Sequence, residues 1–72
     1  MGAFVIWSWE HDAWWGPDEC GYVSDLKAAG RYSLSDAGRI AAGSHVEEVA
    51  IQESVAAERG APRFHPYRGA SR

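Results

Sequence analysis

A chain of seventy-two residues makes one domain of marginal stability, because it buries only about 60% of its unfolded surface. Its lone cysteine, Cys20, excludes an internal disulfide and fits a reducing cytoplasm better than secretion. There is no run of 18 apolar residues to span a membrane, and no basic segment precedes the first apolar run, which argues against a signal peptide.

The net charge of −3 hides an asymmetry. Residues 1–58 hold all ten acids against Lys27, Arg31 and Arg39, a balance of −7, whereas residues 59–72 hold four arginines and no acid, a balance of +4. The expected organisation is therefore a single folded domain over 1–58 and a basic, extended tail over 59–72. The field of the domain repels nucleic acid and attracts basic protein surfaces.

The chain is organised around its first apolar stretch, Phe4 to Pro17, which contains all four tryptophans. Ala3 to Glu10 is dominated by β-branched and aromatic residues and reads as a strand. Ala3, Val5, Trp7 and Trp9 share one face, and Phe4, Ile6, Ser8 and Glu10 the other. Both faces are apolar at the start, which predicts a central strand covered on both sides. Glu10-His11-Asp12 leaves the sheet, and Ala13-Trp14-Trp15 is either a second short strand or the rim of a loop. Gly16 to Gly21 is a turn by composition. Gly21 to Ser24 returns as a strand antiparallel to the first. Asp25 to Gly30 holds at most one helical turn.

Ser33 opens a helix as N-cap, with Asp36 at N3 in a shortened capping box and near the positive end of the helix dipole. Leu34, Ala37, Ile40 and Ala41 form its apolar stripe, and Gly43 is placed to end it. Gly38 either weakens the middle or permits close packing on the sheet. Val46 to Ala56 reads two ways. A helix would be capped by Ser44 and Glu47 and ended by Gly60 and Pro62, but its stripe is poor. A strand through Glu48–Glu53 is the better reading, with Val49, Ile51 and Val55 on one face, and Ala56–Arg59 turning helical after it. Phe64 and Tyr67 give the tail the means to pack on the body. The fold class expected is α+β: a small antiparallel sheet of about three strands with one packed helix.

Several separated features coincide over residues 3–52: the strand Phe4–Trp9 with its Trp-Ser pair, Glu10-His11, Trp14-Trp15, Gly21-Tyr22, Asp25-Leu26, Ala29-Gly30, Tyr32 and Asp36-Ala37. In this the chain resembles small accessory proteins carried by bacteriophages and prophages. The resemblance carries no catalytic motif and leaves out the basic tail. It implies a phage protein acting in the host cytoplasm, of a kind that includes inhibitors of host defence such as anti-CRISPR proteins.

Catalytic and metal-binding constellations are weak. Glu10, His11, Asp12, Cys20 and His45 include possible ligand types, but zinc sites show paired Cys or His at short spacing, and neither Cys-x-x-Cys nor His-x-x-x-His occurs. Cys20 with His11 or His45 lacks any orienting motif for nucleophilic catalysis, and no glycine loop cradles phosphate. Neither an enzyme nor a cofactor is expected. The indoles have three readings: core, a protein-binding hot spot, or a base-stacking platform. The surrounding acids oppose the last, because nucleic-acid backbones need cations. The acids are either a solvated face or a carboxylate array that imitates phosphates. The candidate partner-binding residues are Asp12, Trp14, Trp15, Asp18, Glu19, Asp25, Glu47 and Glu48. The expected partner is a host protein or ribonucleoprotein complex with a basic DNA-binding groove. The other functional reading is a small nucleic-acid-binding accessory protein using the basic tail and exposed tryptophans.

Overall fold

The computed structural model describes residues 3–43 and 47–62. Among them four strands form one antiparallel sheet: β1 (Phe4–Ser8), β2 (Ala13–Trp15), β3 (Tyr22–Val23) and β4 (Glu48–Gln52), in the spatial order β3-β2-β1-β4. Two helices complete the domain, α1 (Leu34–Gly43) and α2 (Glu53–Arg59), with 3-10 turns at Pro17–Glu19 and Leu26–Ala28. The class is α+β, with four strands instead of about three and two helices instead of one. No described helix is long and apolar enough to cross a membrane.

β1 is central because it can bury both faces. It pairs with β2 through Trp7–Trp14 and Ser8–Ala13, and with β4 from Phe4–Gln52 to Ser8–Glu48 without a break in register. Side chains alternate across a strand, so the two apolar sets of β1 enter two different layers. Val5 and Trp7 pack with Trp14, Ala29 and Ala56, flanked by Trp9, Val23, Val49 and Ile51. On the opposite face Ile6 packs with Tyr32, Ala37 and Ile40, flanked by Phe4, Trp15 and Ala50. Thus α2 covers one face through Ala56 and α1 the other through Ala37 and Ile40.

Several expectations are corrected. β1 ends at Ser8, because Trp9 to Asp12 turn the chain back; Asp12 is left-handed there (φ 55°), and the buried Ser8 Oγ accepts a hydrogen bond from the His11 backbone N–H at 3.1 Å. β3 is antiparallel to β2 and is not a neighbour of β1. β4 stops at Gln52, one residue short of the expected strand; Glu53 starts α2, and Val55 lies on that helix, partly exposed, and not on the strand face with Val49 and Ile51. Val49 and Ile51 are half-buried, not fully enclosed. Leu34 is 69% exposed, so the buried stripe of α1 begins at Ala37. Gly43 is the last residue of α1, not a residue beyond it. The proposed cap at Ser44, His45, and the tail aromatics Phe64 and Tyr67 lie outside the described residues.

Ser33 caps α1 as expected, its Oγ accepting from the Asp36 backbone N–H at 3.1 Å. Gly38, in contrast, makes no close packing: a Cβ built there meets nothing within 4 Å. An exposed mid-helix glycine costs roughly 0.5–1 kcal/mol relative to alanine. Gly38→Ala is therefore expected to raise the melting temperature by about 2–8 °C, at about 4–8 °C per kcal/mol for a domain of this size. Thermal denaturation followed by circular dichroism checks this; an unchanged or lower midpoint would mean that the position is not open helix.

Candidate acidic and aromatic binding face

The sheet topology sorts the candidate acids by position. Asp12 lies in the turn joining β1 to β2. Glu47 and Glu48 enter β4 at the same end of the sheet, since Trp9 N–H donates to Glu47 O at 2.8 Å and Ser8 pairs with Glu48. The chain leaves β3 toward that end as well, and Asp25 follows, its carboxylate accepting from the Lys27 backbone N–H at 3.0 Å. Asp18 and Glu19 sit in the β2–β3 connection at the opposite end.

That connection is held in an unusual shape. Asp18 and Glu19 are both left-handed (φ 58° and 57°), a conformation that costs an L-residue roughly 1–2 kcal/mol. Surrounding contacts impose it. Gly16 N–H donates to Gly21 O at 2.8 Å and Cys20 N–H to Pro17 O at 3.1 Å. The Tyr32 hydroxyl accepts from the Glu19 backbone N–H at 2.8 Å and donates to Gly16 O. Burial raises the Tyr32 phenol above its ordinary pKa, with smaller contributions from the Glu19 and Asp18 charges in the same direction and an opposing one from the Glu19 backbone hydrogen bond. A phenol with a raised folded pKa contributes stability that is present below about pH 10 and is lost as pH rises through the folded value. The clasp that the Tyr32 hydroxyl makes on this turn, through Glu19 N–H and Gly16 O, is thus intact at neutral pH.

Three of the eight candidates converge. Trp15, Glu19 and Glu48 line one shallow depression of about 340 Å³ on the α1 face, together with Arg39, Ile40 and Gly43. Trp15 is half-buried, its indole edge-on to Tyr32 and Tyr22. Arg39 binds Glu19 at 2.7 Å and approaches Asp36 at 3.7 Å, and the Glu19 hydrogen bond raises the guanidinium pKa further. This pair is exposed, so it orients Glu19 more than it stabilises the fold.

Trp14 belongs elsewhere. It is 3% exposed and packs edge-on against Trp7 at 4.9 Å, so it serves the core and offers no surface to a partner. Asp12, Asp18 and Asp25 are exposed but lie outside the depression. His11 stacks on Tyr22 at 3.8 Å, and Cys20 is an exposed free thiol. Among the described residues no three His, Cys, Asp or Glu side chains gather as a metal site would require. The residues that reading the sequence missed are Arg39, which orients Glu19 from twenty positions away, and Tyr32, which fixes the turn. The chain matches no protein-family model, and no curated protein or solved structure shows significant similarity to it.

Proposed function

We propose that the protein acts by binding and not by catalysis, as a phage-encoded inhibitor of the anti-CRISPR type. It lays an acidic, aromatic-edged face on the basic DNA-binding groove of a host defence complex and blocks access of DNA. The observation that carries this reading is that half-buried Trp15, Glu19 and Glu48 line one open depression. The neighbouring turn holds the Asp18 carboxylate out to solvent. An indole supplies large rigid contact area, and carboxylates around it set the sign of the partner and speed encounter. The choice of a defence complex rests on the resemblance to phage accessory proteins.

The test uses a reconstituted CRISPR effector complex with labelled target DNA. The parent protein is expected to reduce DNA binding by the complex and to leave free DNA unshifted in the same gel. Asp18→Lys with Glu19→Lys is expected to weaken inhibition at least tenfold with an unchanged far-ultraviolet spectrum. Rising salt should weaken it too, since screening shortens the Debye length from about 10 Å at 0.1 M. Removing residues 63–72, a cut that spares the core contact of Ala61, should matter less. Micromolar binding of the parent to free single-stranded DNA, lost with that cut and strengthened by the acid reversals, would replace this reading with direct nucleic-acid binding.

A further inference from the structure

Among the described residues, the two edges of the sheet are built differently. β3 is two residues long, and a short edge resists pairing with other chains. β4 runs five residues, Glu48-Val49-Ala50-Ile51-Gln52, without lysine or proline, the residues that commonly guard an edge. Its three central apolar residues are only half-buried.

The direction of its backbone groups follows from the ladder. Trp9 N–H donates to Glu47 O, and Glu53 N–H donates to Ala3 O, with an unbroken register between. Antiparallel pairs alternate between hydrogen-bonded and non-hydrogen-bonded. Val49 and Ile51 therefore direct their N–H and C=O to β1, while Ala50 and Gln52 direct theirs away from the sheet. Beside this edge, on the α2 side, a groove of about 330 Å³ is lined by Ile51, Val55, Gly60, Ala61, Pro62 and Arg59.

We propose that β4 pairs with β4 of a second copy, antiparallel about a two-fold axis at Ala50. The strand is self-complementary in that register. Ala50 meets Ala50 in a hydrogen-bonded pair, Val49 meets Ile51, and Glu48 meets the uncharged Gln52, so no carboxylate faces another. The two four-stranded sheets join into eight strands, within the usual range for a sheet. The two-fold keeps like faces together, which brings the two α2 flanks, with Val55 and the apolar groove, toward each other across the seam. One strand edge and one short helix flank make a small interface. Such interfaces sit at the weak end of the stable range, so micromolar, concentration-dependent dimerisation is expected. This inference does not rest on the proposed function, although Glu48 belongs both to β4 and to the acidic depression.

Sedimentation equilibrium of the full chain over about 1–500 μM tests it. A 7.9 kDa monomer is expected to convert to a dimer within that range, with hydrogen exchange at the Ala50 amide slowing as concentration rises and exchange at Ile51 unaffected. Ala50→Pro removes an N–H that faces away from β1, where an edge strand tolerates proline, and is expected to abolish the dimer while circular dichroism stays that of the parent. Gln52→Glu sets two carboxylates opposite Glu48 and Gln52→Lys sets two ammonium groups there. At two cross-strand pairs per dimer these should weaken and strengthen association by about two- to thirtyfold respectively. A monomer at every concentration overturns the proposal, whether residues 63–72 or another protein then covers the edge. So does a dimer in which the Ala50 amide gains no protection and both Gln52 variants associate like the parent.

Discussion

Trp7→Ala is expected to leave the domain barely folded. Trp7 sits on the central strand, 7% exposed, with Trp14 opposite it on β2 and Val49 opposite it on β4. Its ring meets Trp14 edge-on at 4.9 Å and Trp9 at 6.4 Å, arrangements that add to simple burial. Truncation strips packing from both neighbouring strands at once. The cost of such a large-to-small change is about 3–5 kcal/mol. A domain of this length has only about 4–11 kcal/mol in all, at roughly 0.05–0.15 kcal/mol per residue. Thermal unfolding should move down by at least about 12 °C, with the remaining tryptophan emission shifted toward that of solvated indole. A variant melting within a few degrees of the parent would refute the placement of Trp7 at the centre of the core.

The same strand shows why part of the fold could be read from the sequence. Two apolar sets at alternate positions of Phe4–Ser8 can be satisfied only by covering both faces, and the structure covers both. β4 was legible for a similar reason, and α1 through its Ser33 cap and the Ala37–Ile40 spacing. α2 was legible only in its second half, where Ala56–Arg59 reads as helical; its start at Glu53 carried too weak a signal. Only Ala56 is fully buried in its seven residues, and no side chain caps its start, so no stripe marks it. β2 and β3 are too short to display a period, and partner choice between them depends on where turns bring the chain.

Composition indicated the aromatic and acidic character of the candidate face, but not its assembly. The Trp14-Trp15 pair reads as one feature, yet strand alternation sends Trp14 into one layer and Trp15 into the other. The ion pair between Arg39 and Glu19 joins a helix to a turn, and no local spacing encodes it. The signal for the clasp was present in Gly16, Gly30 and Tyr32. Each residue alone has a commonplace explanation, and only their convergence in space gives them a shared role.

Gly30→Ala is expected to release that clasp. A Cβ at position 30 would stand 2.6 Å from Gly16 O, 2.8 Å from Pro17 Cα and 2.9 Å from the Tyr32 hydroxyl. The first two atoms are backbone and cannot swing aside, so space, not backbone conformation, is what requires glycine here. Gly30 N–H also donates to Trp15 O at 2.9 Å, which ties the segment to the end of β2. Either the tie or the turn must shift. Overpacking of this kind costs about 1–3 kcal/mol, a fall of roughly 4–24 °C in the melting temperature. A merely destabilised fold would lose stability and keep the turn; a released clasp has two further signs. The Glu19 amide, which donates to the Tyr32 hydroxyl, should exchange faster than amides of β1 in the same sample. The Tyr32 phenol, raised mainly by burial, should titrate closer to an ordinary tyrosine, with ultraviolet absorbance rising at lower pH. Tyr32→Phe keeps the ring and removes only the hydroxyl, leaving Gly16 O and Glu19 N–H to find other partners at about 1–3 kcal/mol. If both substitutions act on the one clasp, the double variant should lose less than the two single losses added together. Full additivity, or an unchanged Glu19 amide in Gly30→Ala, would show that the turn carrying Asp18 and Glu19 holds its shape without Tyr32.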